Sequence, residues 1–234
     1  MNRTEMLNRT LLERMNQELL LSIDSTLVDL SLVIAMGKVF DGKDALPQEE
    51  RFNDSAYQQV DSYQSILLPY FRKARSGESA FHSILMDSHL IPLNLQEDLD
   101  EMLTIREESF DITSSPFSPY LLDEEDFEEA KDTFALRLLL VYRIKSWIND
   151  IILGIQDYGV DPYKVDETRD NEECINLLDG IYDLSHEEVL AELHKHLLID
   201  EDEKGEAMDK QSLIVLLAEI EKPSTTGKGK THHD

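Results

Sequence analysis

The sequence predicts an all-α protein: a multi-helix bundle around a central apolar helix at about residues 123–154, with an acidic C-terminal helical subdomain. Apolar residues recur every three to four positions along most of the chain, which is the period of one helix face. No segment combines alternating apolar and polar residues with the turn signals of a strand. At 234 residues, the chain is long enough for one large domain or two small ones with a hydrophobic core.

The first forty residues predict one long helix. From Leu27 onward the segment is apolar nearly all round, so we expect that half to be buried on more than one side. Asp41-Gly42 supplies the turn chemistry that ends the helix. The stripe on its main face consists of Leu7, Leu11, Met15, Leu19, Ile23, Leu27, Leu30 and Ile34.

Three further helices are predicted before the central one, at about residues 55–74, 78–89 and from 94 onward. Pro69 should kink or end the first of them, because it lacks an amide donor and its ring clashes with the preceding turn. Asn94 is the expected N-cap of the third, with Glu97 as its capping-box partner. Residues 109–122 contain two prolines and four serines, and we expect an apolar loop that lies across the core.

The central helix has the strongest signals of any segment. Asp123 is its expected N-cap, and the acidic residues that follow suit the positive end of the helix dipole. A continuous apolar stripe predicts that this helix is the hub of the bundle. The stripe consists of Phe127, Phe134, Leu138, Val141, Ile144, Ile148, Ile151 and Ile155.

The domain organisation follows from a change of composition near residue 159. Residues 1–158 are expected to form the bundle, and residues 159–222 an acidic helical segment that packs on it. That segment should contain helices at about 170–182, 186–198 and 210–221, the second with a capping box between Ser185 and Glu188. The polar tail at 223–234 is expected to be disordered.

The charge of the chain limits its partners. The net charge is −27, and residues 97–129 carry 13 acidic side chains against one basic, while residues 157–209 carry 18 against four. Such a surface repels nucleic acid and anionic lipid and favours basic partners or cations. We find no run of about eighteen uncharged apolar residues and no secretory signal, so we expect a cytoplasmic protein without a membrane helix.

No motif predicts a catalytic residue, a cofactor or a metal site. Asp200, Asp202 and Gly205 match three positions of a calcium-binding loop. However, Lys204 stands where an oxygen ligand is needed, and Gln211 replaces the bidentate glutamate. An acidic loop between helices is therefore the favoured interpretation of residues 200–211, and weak cation binding there is left open.

The absence of catalytic motifs and the localised charge favour a protein-binding module, such as an adaptor, chaperone or regulatory subunit. We expect a protein partner that is basic, partly apolar or itself nucleic-acid-binding, and acidic rims that speed association and select partners. The candidate binding residues form two acidic groups: Glu124, Glu125, Asp126, Glu128 and Glu129, and Asp200, Glu201, Asp202 and Glu203.

Three alternatives stay open. The acidic segments can imitate the phosphate rows of a duplex, which would make the protein an inhibitor of a DNA-binding protein. An enzyme with a site in the bundle is the second alternative, built from polar residues on or near the central helix: Arg137, Tyr142, Arg143 and Lys145. The third is a structural subunit whose N-terminal helix contacts a second copy of the chain.

Overall fold

A computed structural model describes residues 3–40, 43, 47–88, 91, 93–114, 124–158, 177–198 and 207–222. Within these ranges the chain is all-α, with nine helices and no strand, which confirms the predicted fold class. In chain order the helices are α1 (Arg3–Phe40), α2 (Gln48–Arg51), α3 (Asp54–Phe71), α4 (Ser79–Ser88), α5 (Leu93–Ser114), α6 (Glu124–Tyr158), α7 (Leu177–Tyr182), α8 (His186–Leu198) and α9 (Ala207–Ile220).

Helix α1 shares the centre of the bundle with α6. It contacts α3, α5 and α6, so the hub is a pair of long helices and not the central helix alone. The predicted stripe of α1 is buried from Met15 to Ile34, while Leu11 is half-buried and Leu7 is exposed. On α6 the described stripe residues from Phe127 to Ile151 are buried. The spacing of apolar residues therefore identified the inner faces of both helices.

Helix α1 also has the length and composition of a membrane span. Residues Met6–Phe40 reach a mean hydropathy of 1.9 in an 18-residue window, of which 56% is buried inside the structure. This stretch does not contain the eighteen uncharged apolar residues that we required of a membrane helix, because Asp24 and Asp29 interrupt it. A buried core helix passes the same test, and Arg106 of α5 binds Asp24 at 3.0 Å. The expectation that no helix spans a membrane stays a prediction.

Helix α3 begins and ends by recognisable local chemistry. The Asn53 side chain accepts a hydrogen bond from the Ala56 amide at 3.0 Å, so the helix is capped and begins one residue before its predicted start. The helix ends at Phe71, two residues after Pro69, in agreement with the effect expected of an internal proline. A T-shaped contact between Phe71 and Phe81, with ring centroids 5.3 Å apart, then joins α3 to α4.

Two sequence expectations around α5 were wrong. The helix begins at Leu93, so Asn94 lies inside its first turn and not at the N-cap position. It also continues to Ser114, so residues 109–114 are helical where we expected a loop. In this end of the helix Ser109 is fully buried, whereas Phe110 and Asp111 are exposed. Residues 115–122 of the expected loop lie outside the described residues.

The C-terminal helices pack on the bundle through buried apolar residues, among them Val189, Leu193 and Leu216, and polar contacts add to this packing. Helix α8 packs on α6, where Arg143 binds Glu192 at 2.6 Å. The predicted capping box of α8 is present: the Ser185 amide and hydroxyl both donate to a Glu188 carboxylate oxygen, at 2.8 and 2.7 Å. These hydrogen bonds lower the pKa of the Glu188 carboxyl below its ordinary value.

Helix α9 is joined to both hub helices. Arg14 of α1 binds Glu219 at 2.7 Å. The ammonium of Lys131, on α6, donates to the carbonyl oxygen of Ile220 at 3.2 Å and lies 2.6 Å from a Glu128 oxygen. Because Ile220 ends α9, the lysine satisfies one of the carbonyl groups that a helix C-terminus leaves without a partner.

Candidate partner-binding cleft

A cleft of about 470 Å³ lies between α1, the end of α5 and the first half of α6. Its size falls within the range of protein sites that bind small molecules or side chains, about 300–1,000 Å³. The floor is apolar and is formed by Leu12, Met15, Leu19, Ile112, Ala130 and Phe134. Polar groups complete the lining: Asn16, Asp126, Glu129, Thr133 and Arg137.

Helix geometry explains which residues of α6 line the cleft. Asp126, Glu129, Thr133 and Arg137 are spaced by three or four residues, so they share one face. The same face carries Ala130, whose small side chain leaves room for the cleft. The acidic residues at the start of this helix were predicted from the sequence, whereas their position beside an apolar cavity was not.

The cleft is more acidic than its composition suggests. The Arg137 guanidinium binds a Glu108 oxygen of α5 at 2.5 Å, so its charge is neutralised within the protein. The Asn16 amide is occupied as well, because it donates to the carbonyl oxygen of Leu12 at 2.9 Å. Asp126 and Glu129 are both exposed carboxylates, and Asp126 also makes an interaction within the protein. The cleft thus presents an apolar floor and two acidic groups at its rim.

The remaining predicted binding residues are not brought together with this pair. Glu128 lies on the opposite side of α6, where it binds the buried Lys131 and takes part in the attachment of α9. The backbones of Glu124 and Glu125 are helical, but their side chains lie outside the described structure. Outside the described residues altogether lie Asp200, Glu201, Asp202 and Glu203. On α6, therefore, the described acidic residues divide between two faces and do not form a single row.

The polar residues considered for an enzyme site face three different neighbours. Arg137 turns to α5, Arg143 binds Glu192 of α8, and Lys145 donates to the Ser25 hydroxyl of α1 at 3.1 Å. The ring of Tyr142 stacks on a histidine of α8 with centroids 5.9 Å apart. Of these four residues, Arg137 alone lines the cleft. Within the described residues, no three histidine, cysteine or acidic side chains are grouped so that they would hold a metal ion.

Sequence reasoning missed the floor of the cleft. Met15, Leu19 and Phe134 were assigned to the core stripes, which is correct, but nothing in their spacing indicates a cavity beside them. Asn16 is a buried polar residue beside these side chains, which is unusual, but its burial is visible only in the structure.

Comparison with known proteins adds no family to this description. No protein-family model matches the chain, and no curated protein or solved structure matches it significantly.

Proposed function

We propose that the chain is an acidic, all-helical protein-binding module, and that the cleft between α1, α5 and α6 receives a basic, partly apolar segment of its partner. The observation that supports this proposal is the combination of an apolar floor with two carboxylates, Asp126 and Glu129, at the rim. A lysine- and leucine-containing helix meets both requirements, since its apolar side chains fill the floor and its ammonium groups reach the rim.

The charge of the whole chain is consistent with this role. A net charge of −27 attracts basic partners over long distances and raises the rate of encounter, while contacts in the cleft select among them. Burial of the apolar side chains supplies the affinity, because exposed charge pairs contribute about 1 kcal/mol or less each.

The test uses a labelled amphipathic peptide made of leucine and lysine, with binding followed by fluorescence anisotropy. The variant Asp126→Asn/Glu129→Gln should weaken binding about 2- to 10-fold, since two exposed charge pairs are lost. Ala130→Phe should weaken it further by filling the cleft. Asp183→Asn/Glu187→Gln is the matched control, because it removes two exposed carboxylates of the same types elsewhere and should leave binding nearly unchanged.

The control separates binding in the cleft from attraction by net charge. Equal losses in the two double variants would mean that the peptide responds to overall charge, and the proposal would be wrong. Binding that survives Ala130→Phe would also overturn it. Thermal melting of each variant verifies that the fold is retained, so that a loss of binding refers to the surface and not to unfolding.

A further inference from the structure

Helix α3 exposes apolar side chains on a face that no other described helix covers extensively. Its main contacts are with α1, and its buried residues are Ala56, Val60 and Phe71. Beside this buried face, Ile66 is 71% exposed and Tyr63 is 47% exposed. Single exposed apolar residues are common in folded proteins, whereas large contiguous apolar patches mark binding surfaces, so the question is whether these two belong to a larger surface.

The spacing of these residues forms a stripe. Tyr63, Ile66 and Tyr70 follow at intervals of three and four residues, so they lie on one side of the helix over two turns. We call these three residues the α3 stripe. Its last member is held in place, because the Tyr70 hydroxyl lies 3.5 Å from a Glu78 oxygen. Partial burial and the Glu78 carboxylate raise the pKa of the Tyr70 hydroxyl above its ordinary value.

Three exposed cations follow the α3 stripe directly: Arg72, Lys73 and Arg75, which we call the cationic turn. None of their side chains makes an ion pair or hydrogen bond within the part of the chain that the structure describes. By contrast, Arg14 and Arg106 each bind a carboxylate on another helix. Exposed cations without a carboxylate partner also occur elsewhere in the described residues, at Lys38, Lys195 and Lys222. What distinguishes the cationic turn is that three such cations lie together beside the α3 stripe.

The helix dipole accounts for only part of this arrangement. Cations near the C-terminus of α3 gain about 0.3–1 kcal/mol each from the dipole, an effect that ends within the last turn. The Glu78 carboxylate lies at this turn, but it accepts from the Arg75 backbone amide at 3.1 Å and binds none of the three cationic side chains. The dipole does not explain why three cations are gathered beside an apolar stripe. A ligand with both features, negative charge and an apolar face, explains the two together.

We propose that the α3 stripe and the cationic turn form a second docking surface, which binds an acidic amphipathic helix of a partner protein. The apolar side chains of that helix, spaced by three and four residues, would pack on Tyr63, Ile66 and Tyr70, and its carboxylates would bind the cationic turn. This surface is distinct from the cleft on α6 and has the opposite charge preference, so the proposal goes beyond the proposed function.

Two other occupants fit the surface less well. An anionic membrane attracts the three cations and can take up the two exposed apolar side chains, but the net charge of −27 on the whole chain repels it. A second copy of the chain brings another −27 charges to the contact. A short acidic helix brings only the few carboxylates that the cationic turn can bind.

The charge half of the proposal is tested with a labelled helical peptide of leucine and glutamate. Its binding to the full chain should fall at high salt, and Arg72→Gln/Lys73→Gln/Arg75→Gln should weaken binding about tenfold, as expected for three exposed charge pairs. Substitution of the same three positions by glutamate should weaken it more. The matched control changes three exposed cations elsewhere, Lys38, Lys195 and Lys222, to glutamine and should bind as the original chain does.

The apolar half is tested by Ile66→Glu, which replaces the most exposed member of the α3 stripe. We expect loss of at least tenfold in affinity for the same peptide. Leu153→Glu is the control, since Leu153 is 51% exposed on α6. The leucine–lysine peptide that tests the cleft should bind the Ile66 variant normally, so failure of this proposal is distinguishable from failure of the proposed function.

Three results would overturn the proposal. The first is an absence of binding by the leucine–glutamate peptide, or equal binding by the cationic-turn variants and their control. The second is binding to phosphatidylserine vesicles that depends on the same residues, which would identify a membrane as the occupant. The third is self-association in sedimentation experiments that Ile66→Glu abolishes, which would identify a second copy.

Discussion

Replacing Lys131 by methionine tests how α9 is held to the bundle. The lysine side chain is 5% exposed, and methionine preserves most of its apolar volume while removing the ammonium group. The carbonyl oxygen of Ile220 then loses its hydrogen bond from a charged donor, and a buried acceptor without a partner costs about 1–3 kcal/mol. The lost ion pair adds at most about 1 kcal/mol, since the Glu128 carboxylate is 43% exposed.

The cost of removing the lysine charge from water opposes these losses in the free energy of unfolding. Methionine does not have to be removed from water as a charged group, and buried ion pairs often gain little after that cost. We therefore expect a net loss of about 1–2 kcal/mol in the free energy of unfolding. With a urea m-value of about 1–3 kcal/mol per molar or somewhat more for a chain of this size, the unfolding midpoint should fall by roughly 0.5 M.

Urea denaturation measures the loss, and hydrogen exchange locates it. The amides of α9 should exchange faster in the Lys131→Met variant, while those of α3 should be unchanged. Lys195→Met is the control, because Lys195 is exposed and its midpoint should stay close to that of the original chain. An unchanged or higher midpoint for Lys131→Met, with normal exchange in α9, would refute the reasoning.

Three further predictions concern local features. Gly77 has φ of +70°, and a Cβ atom added there would meet no other atom within 4 Å. Gly77→Ala should therefore lower the free energy of unfolding in urea by about 1 kcal/mol through backbone strain alone, and Gly77→Asn should lower it less. Equal stability of the original chain and the two variants would contradict this. Ser185→Ala should move the lowered pKa of Glu188 back toward its ordinary value in an NMR titration. Because the folded pKa is the lower one, this carboxylate stabilises the fold above the unfolded pKa, and the contribution is lost as the pH falls through the folded pKa. The Arg143–Glu192 pair should give a coupling energy of about 0.5–1 kcal/mol in a double-mutant cycle with Arg143→Met and Glu192→Gln. A coupling energy of zero would mean that this ion pair does not stabilise the packing of α8 on α6.

The sequence was most informative where one helix carries its own signal. The spacing of Ile23, Leu27 and Leu30 specified the buried face of α1, and Ser185 with Glu188 specified the start of α8. Both depend on residues less than a few turns apart, whose relative positions a helix fixes.

Features that depend on contacts between distant segments could not be predicted from the sequence. The two prolines and four serines of residues 109–122 suggested a loop, but residues 109–114 are helical. Likewise, Glu128 and Glu129 are neighbours in sequence, yet one supports α9 and the other lines the cleft. Which neighbour a helix face meets depends on the whole arrangement, and no local pattern specifies it.

The position of α1 in the bundle affects how the chain is made. Its apolar face is completed by α6, which begins more than eighty residues after Phe40. At about 5–20 residues per second, a ribosome needs on the order of 4–17 s to synthesise that interval. During this time a long apolar helix emerges before α6, one of its two main partners, exists. Nascent-chain crosslinking should therefore capture a chaperone on α1 until α6 has left the ribosome.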